Sequence, residues 1–217
     1  MKSDSQLQHD VMAELEFEPS LDHAGIGVGV ANGVVTLSGV VSSYVEKLAA
    51  ERAARRVAGV QAIAEDLTVR SDSVASTADP EIARRIVDVL DWTVAIPASS
   101  IKVEVEHGWV TLSGVVPWRY QSDAARGAAA RIRGVVGVTN LIEVRQGPVA
   151  NDVKDRIVAA LKRSVDVDAS TITVLTDGSK VMLGGRVNAW HERDVAERAA
   201  WAAPGVTKVE DNITVQF

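Results

Sequence analysis

The sequence predicts an α+β protein of three tandem α-β-β-α-β domains, each a small three-stranded mixed sheet with two helices on one face. Three observations carry the prediction. A seven-residue phrase recurs, as GVVTLSG at 33–39, GWVTLSG at 108–114 and SKVMLGG at 179–185. Apolar residues recur at helical spacing before each phrase and alternate through it. Shifts of 75 and 71 residues bring all three copies into register without a gap.

The first element of each copy is an amphipathic helix. Its apolar positions are Leu7, Val11 and Leu15, then Ile82, Ile86 and Leu90, then Val153, Ile157 and Leu161. Spacing of i, i+4 and i+8 keeps each set on one face. Asp79-Pro80-Glu81 reads as N-cap, first-turn proline and first-turn acid, and Asn151-Asp152 opens the third copy in a similar way.

A hairpin follows. Ile26, Val28 and Val30 correspond to Ile101, Val103 and Val105, with Ile172 and Val174 in the third copy. The turns are expected at Asn32-Gly33, His107-Gly108 and Asp177-Gly178, and alternation resumes at Val35/Leu37, Val110/Leu112 and Val181/Leu183. The repeated phrase is therefore the second hairpin strand. Its closing glycine, Gly39, Gly114 or Gly185, marks a bulge or a close backbone approach.

A second helix comes next. Its expected inward face is Ala49, Ala53 and Val57, then Ala124, Ala128 and Ile132, then Val195, Ala199 and Ala203. Gly59, Gly134 and Gly205 are expected as C′ glycines. A last strand alternates through Ile63/Leu67/Val69, Val138/Ile142/Val144 and Val209/Ile213/Val215. Because a helix separates strands two and three, the third strand can run parallel to the second. The expected domains are 1–72, 78–146 and 149–217, joined by RSDSVASTADP around 70–80 and QGPVA at 146–150. Such small units have marginal cores, and packing between repeats is a source of further stability.

Composition removes several functional classes. The 217 residues are 47% hydrophobic and 24% charged, ordinary for a globular protein. A net charge of −6 gives no overall attraction to a phosphate backbone, so no nucleic acid is expected as a partner. There is no cysteine, hence no disulfide and no thiolate site. The first twenty residues contain no apolar run like that of a secretory signal, which places the chain, as written, in the cytoplasm.

The motif V-x-L-x-G-x-V, the alanine-rich second helix and the ending G-V-x-x-[VI]-x-N-x-[LI]-x-V resemble the BON domain, a family named for bacterial osmotically induced and nodulation proteins. Residues 35–41 and 110–116 fit the first motif, and residues 205–215, GVTKVEDNITV, fit the ending. The resemblance covers nearly the whole chain. It implies a module without enzymatic activity, usually in the bacterial envelope, that binds phospholipid surfaces under osmotic or membrane stress. An anionic phospholipid surface is thus the implied partner, and protein clients of a chaperone-like module are the alternative. No cofactor, metal or catalytic residue is expected.

Other patterns are weaker. His9, His23, His107 and His191 fall on unrelated elements, and His191-Glu192 lacks the second histidine of a zinc-protease helix. Gly25, Gly27 and Gly29 lie on a strand rather than between a strand and a helix, against a dinucleotide fingerprint. Gly134-Val135-Val136-Gly137 matches a GxxG clamp, but in one copy and at a helix-to-strand junction. Asp166 and Asp168 lack the rest of a calcium loop, and no serine sits in a nucleophile elbow.

The middle copy stands apart electrostatically. Six basic and eleven acidic residues give residues 1–75 a charge of −5, eight of each give 76–146 zero, and nine against ten give 147–217 a charge of −1. Arg119, Arg126 and Arg133 are seven apart, so on one continuous helix they form a single stripe. With Trp118 at its start and Trp109 on the preceding strand, this stripe is the expected lipid-binding site. Each arginine near an anionic membrane contributes about 1 kcal/mol, so the stripe alone gives roughly millimolar binding. A useful affinity needs a tryptophan inserted as well.

Overall fold

The computed structural model describes residues 2–70, 78–145, 152–164 and 167–216. Most of both expected linkers, the helix-opening Asn151 and the calcium-like Asp166 lie outside the described residues. The chain falls into two compact units, Met1–Val116 with Tyr120–Ile142, and Pro117–Arg119 with Glu143–Phe217.

In the first unit, the first repeat runs α1 (Asp4–Phe17), β1 (Ile26–Ala31), β2 (Val34–Val41), α2 (Tyr44–Arg56) and β3 (Ala62–Val69). The second, in the same unit apart from Arg119 and the last two residues of its final strand, runs α3 (Asp79–Trp92), β4 (Ile101–Glu106), β5 (Trp109–Val116), α4 (Arg119–Ala130) and β6 (Gly137–Val144). The second unit holds the third repeat, α5 (Val153–Arg163), β7 (Ile172–Asp177), β8 (Lys180–Val187), α6 (Trp190–Trp201) and β9 (Lys208–Val215).

Each repeat makes its own three-stranded sheet, ordered first, second, third. The hairpin pairs are antiparallel in all three, from Ile26↔Gly39, Ile101↔Gly114 and Ile172↔Gly185 to the turn. β3 and β9 run parallel to β2 and β8, as a helical crossover requires. Two-period alternation puts Val35, Leu37 and Val41 into a core with Leu7, Val11 and Leu15 of α1 and Ala50, Ala53 and Ala54 of α2. Val34 and Val40, on the opposite face of β2, are exposed. Both helices therefore cover one face of the sheet.

The glycine closing the repeated phrase has a steric cause. Gly39, Gly114 and Gly185 have φ of 127°, 139° and 115°, and an added Cβ would collide with the carbonyl oxygen of Gly25, Ser100 or Thr171. This is the close backbone approach that the sequence predicts.

Four local expectations are corrected. Asp79 is the first residue of α3 and not its N-cap, which is Ala78, with no side-chain capping bond. Its carboxylate instead accepts from the backbone N–H of His107 at 2.8 Å and Gly108 at 2.9 Å. Asp4 does the same for Asn32 and Gly33, at 2.8 and 3.0 Å. Both residues of these turns have positive φ, 50° and 75° at Asn32-Gly33 and 51° and 78° at His107-Gly108, the type I′ geometry that leaves two amides pointing outward. The helix-start carboxylate satisfies them.

The third hairpin turns at Gly178-Ser179, between paired Asp177 and Lys180, one residue later than expected. Gly178, with φ 54°, takes the place of Asn32 and His107. The glycines after the second helices have φ of 103°, 94° and 91° but lie beyond the C′ position. Each closes a turn, as in Val60 N–H to Val57 C=O, that drives Val60, Val135 or Val206 into a core. The buried row of α4 is Ala125 and Ala129, and that of α6 is Ala196 and Ala200, one position past the expected helical positions, while Ala203, beyond the end of α6, is buried as expected. Ala124, Ala128, Ile132, Val195 and Ala199 pack beside them, half-buried. A helix seated on a sheet through two adjacent rows of alanine has its centre between them, and periodicity alone does not choose the row.

The Asp79 contact has a pH signature. The two N–H bonds, from Gly108 first and then His107, hold the Asp79 carboxyl below its ordinary 3.8. A depressed carboxylate contributes stability that is present above its unfolded pKa and lost as pH falls through the folded one. Asp79→Asn is therefore expected to lower the thermal midpoint at neutral pH. The difference from the parent should shrink once pH drops below about 4. A difference that stays constant down to pH 2 would contradict this role.

Candidate functional site

Three arginines were expected to form one stripe with Trp118 and Trp109 beside it, and α4 carries only two of the three, Arg119 and Arg126. α4 ends at Ala130, so Arg133 lies in the turn after it and is not on the helix. Helical phase therefore does not relate Arg133 to Arg119 and Arg126. Arg119 belongs to the second unit, where its guanidinium lies 4.8 Å over the ring of Trp201. Trp118 is half-buried. Arg126 is exposed in mid-helix, close enough to Tyr44 for its charge to favour the phenolate. Burial of Tyr44 outweighs this and raises its pKa, and a bond to the Val138 backbone acts in the same sense as Arg126.

Trp109 lies on the face of the sheet away from the helices. It is 50% exposed, and its Nε1–H donates to Thr139 Oγ1 at 2.8 Å. The indole covers Gly137, where any Cβ would meet the ring. This fixes the ring flat against β6 with its other side in solvent. It also removes the GxxG reading, since Gly137 is buried beneath the indole and the Val136 N–H is bonded to Gly108.

The structure adds a feature at the end of α3 that periodicity did not single out. Trp92 is 88% exposed and Val94 fully exposed, and Gln121 of α4 holds the adjoining loop by donating to the Ala95 carbonyl at 2.9 Å. Tyr120, beside Gln121, is 57% exposed. Trp92 thus closes α3 two residues beyond the buried Leu90. Phe17 takes the equivalent place in the first repeat and is 82% exposed, while the third repeat has Arg163 there. Sequence could have flagged the pair, because Phe17 and Trp92 occupy the same register position, off the core row.

A cleft of about 400 Å³ in the first unit separates the start of α2 from the turn after α4. Ser42, Ser43, Tyr44 and Val45 form one wall, and residues 130–136, including Arg131 and Arg133, form the other. All four histidines are exposed, and no group of three or more His, Cys, Asp or Glu suited to a metal is present among the described residues. Asp168 is occupied in a local turn, accepting from the N–H and Oγ–H of Ser170 at 2.9 and 2.7 Å.

The family model for the BON domain matches residues 3–71, 78–146 and 150–216, one match for each of the three sheets described above. The chain belongs to the BON-domain family. Among curated proteins, this BON-domain chain is similar to osmotically-inducible protein Y of Escherichia coli K12, with 32% identity over 146 residues, 65% of this chain and 73% of that protein. Two solved structures of CdsD, described as a structural protein of the type III secretion system of Chlamydia trachomatis, align at 15% and 16% identity, each with a TM-score of 0.26. They cover 97% and 100% of this chain, and 92% and 100% of their own. Among the described residues, no helix of the three BON domains is long and apolar enough to cross a membrane.

Proposed function

We propose that this BON-domain protein is a non-catalytic stress protein that contacts anionic phospholipid surfaces through its middle domain. Similarity to an osmotically inducible protein supports the link to osmotic stress. The observation that carries the lipid contact is the apolar tip of the middle domain, where Trp92 and Val94 project into solvent. Water penalises such a tip, and the interfacial zone of a bilayer is where an indole with a polar N–H is best placed.

The magnitudes are sufficient. Partial insertion of one indole contributes about 3 kcal/mol by area. Two or three arginines near an anionic surface add about 1 kcal/mol each. Together, about 5–6 kcal/mol, they give binding between about forty and two hundred micromolar, against several millimolar or weaker for the arginines alone. Co-sedimentation with phosphatidylglycerol-containing and pure phosphatidylcholine vesicles tests this. The intact protein should pellet with the anionic vesicles, and Trp92→Ala/Val94→Ser should reduce the bound fraction at least tenfold while leaving the thermal midpoint unchanged. Equal binding by variant and parent would refute the tip as the contact.

A second reading has its own support. Trp109, Val115 and Leu141 leave an exposed apolar strip on the outer face of the middle sheet. A protein client held there would bind regardless of lipid, and Leu141→Asp would abolish that binding without affecting vesicles.

A further inference from the structure

The cleft in the first unit differs from the rest of the molecule in how its charge is balanced. Arg56, after the core row of α2, is neutralised by two carboxylates of α1, Glu14 at 2.7 Å and Glu18 at 3.0 Å. Its equivalent in the second repeat, 75 residues on, is Arg131. The positions corresponding to Glu14 and Glu18 are Val89 and Thr93, so the same register position has lost both acids. Arg131 instead lines the cleft, and Arg133, where the first repeat has Ala58, lines it too. Neither arginine has an ion-pair partner among the described residues.

The facing wall adds to this excess positive charge. α2 begins there, and its first amides point out of the helix with a partial positive charge. Ser43 caps Glu46 N–H, and Glu46 in turn accepts from the Ser42 amide and hydroxyl. The Glu46 carboxylate is thereby tied to the helix start and is not part of the cleft wall. Tyr44 and Val45, the first two residues of the helix, are part of it. Two arginines opposite the first turn of a helix, around about 400 Å³, suit an oxyanion, and a phosphate offers more acceptor oxygens than a carboxylate to satisfy both arginines and the helix start together.

We infer that this cleft binds a phosphate group, held by Arg131 and Arg133 against the first turn of α2. The phosphate can belong to a lipid headgroup, in which case the inference rests on the membrane reading and gives it a headgroup site, or to a soluble phosphate compound, in which case it stands without that reading.

The test uses the full chain, its Arg131→Gln/Arg133→Gln variant, and a charge-matched control on the exposed face of α5, Lys154→Gln/Lys162→Gln. Titration with inorganic phosphate, followed by amide NMR, should shift Tyr44 and Val45 with a saturable curve. The arginine variant should weaken that binding at least tenfold, and the lysine control should leave it unchanged. In the vesicle arm, a lipid phosphate predicts that only the arginine variant loses binding to phosphatidylglycerol vesicles and that free phosphate competes. Saturable shifts with unaltered vesicle binding assign the cleft to a soluble phosphate. Absence of vesicle binding by the parent defeats the membrane reading but leaves the phosphate titration to judge the cleft. Unmoved Tyr44 and Val45 amides at tens of millimolar phosphate would overturn the inference.

Discussion

Gly114→Ala should lower the stability of the first unit by about 3 kcal/mol, the upper range for imposed backbone strain and overpacking. The position combines two penalties. Its φ of 139° lies where L side chains rarely sit, and the new Cβ would collide with the Ser100 carbonyl oxygen, a backbone atom that cannot swing aside. Gly127→Ala provides the matched contrast. Gly127 lies inside α4 with nothing within 4 Å of its missing Cβ, so alanine there should stabilise by about 0.5–1 kcal/mol. Urea unfolding of both variants, followed by far-UV circular dichroism, reads the difference. If both glycines tolerate alanine equally, the close strand approach assigned to the repeated phrase is wrong.

Leu112→Ala should cost about 3–4 kcal/mol, because Leu112 is fully buried beneath α3 and α4 and its removal leaves a cavity. Leu141→Ala, on the outer face of the neighbouring strand where Leu141 is 59% exposed, should change stability by no more than about 0.5 kcal/mol. The pair tests which face of the middle sheet carries the helices. A similar loss from both would mean that the outer face is covered too.

How much of this was legible follows from how local each cause is. Leu7, Val11 and Leu15 announce their helix because burial and spacing share one period, and all three are buried. Gly39, Gly114 and Gly185 could be read because the same constraint is written three times. Asp79 was misread because its partners, His107 and Gly108, are 28 and 29 residues away. A capping residue and a turn clamp look the same until the hairpin is placed. Arg133 was put on a helix because Arg131-Ile132-Arg133 offers no stop signal before Gly134, whereas α4 ends at Ala130. The exposure of Trp92 escaped for a related reason. Periodicity identifies the row that is buried, and leaves the remaining apolar residues unplaced.

The site was less legible than the fold because it depends on differences between copies that otherwise share a backbone. Where the first repeat pairs Arg56 with Glu14 and Glu18, the second has an arginine with neither acid. Sequence shows that substitution plainly once the register is known. Only the structure shows that the arginine faces a cleft.

The most direct test of the account is fluorescence quenching by brominated phospholipid. Phosphatidylglycerol vesicles brominated in the upper acyl chain are mixed with the intact protein and with Trp92→Phe. The account predicts strong quenching of the intact protein and the loss of most of it in the variant, because Trp92 is the indole that enters the bilayer interface. Quenching that persists undiminished in Trp92→Phe, or binding to these vesicles with no quenching at all, would contradict it.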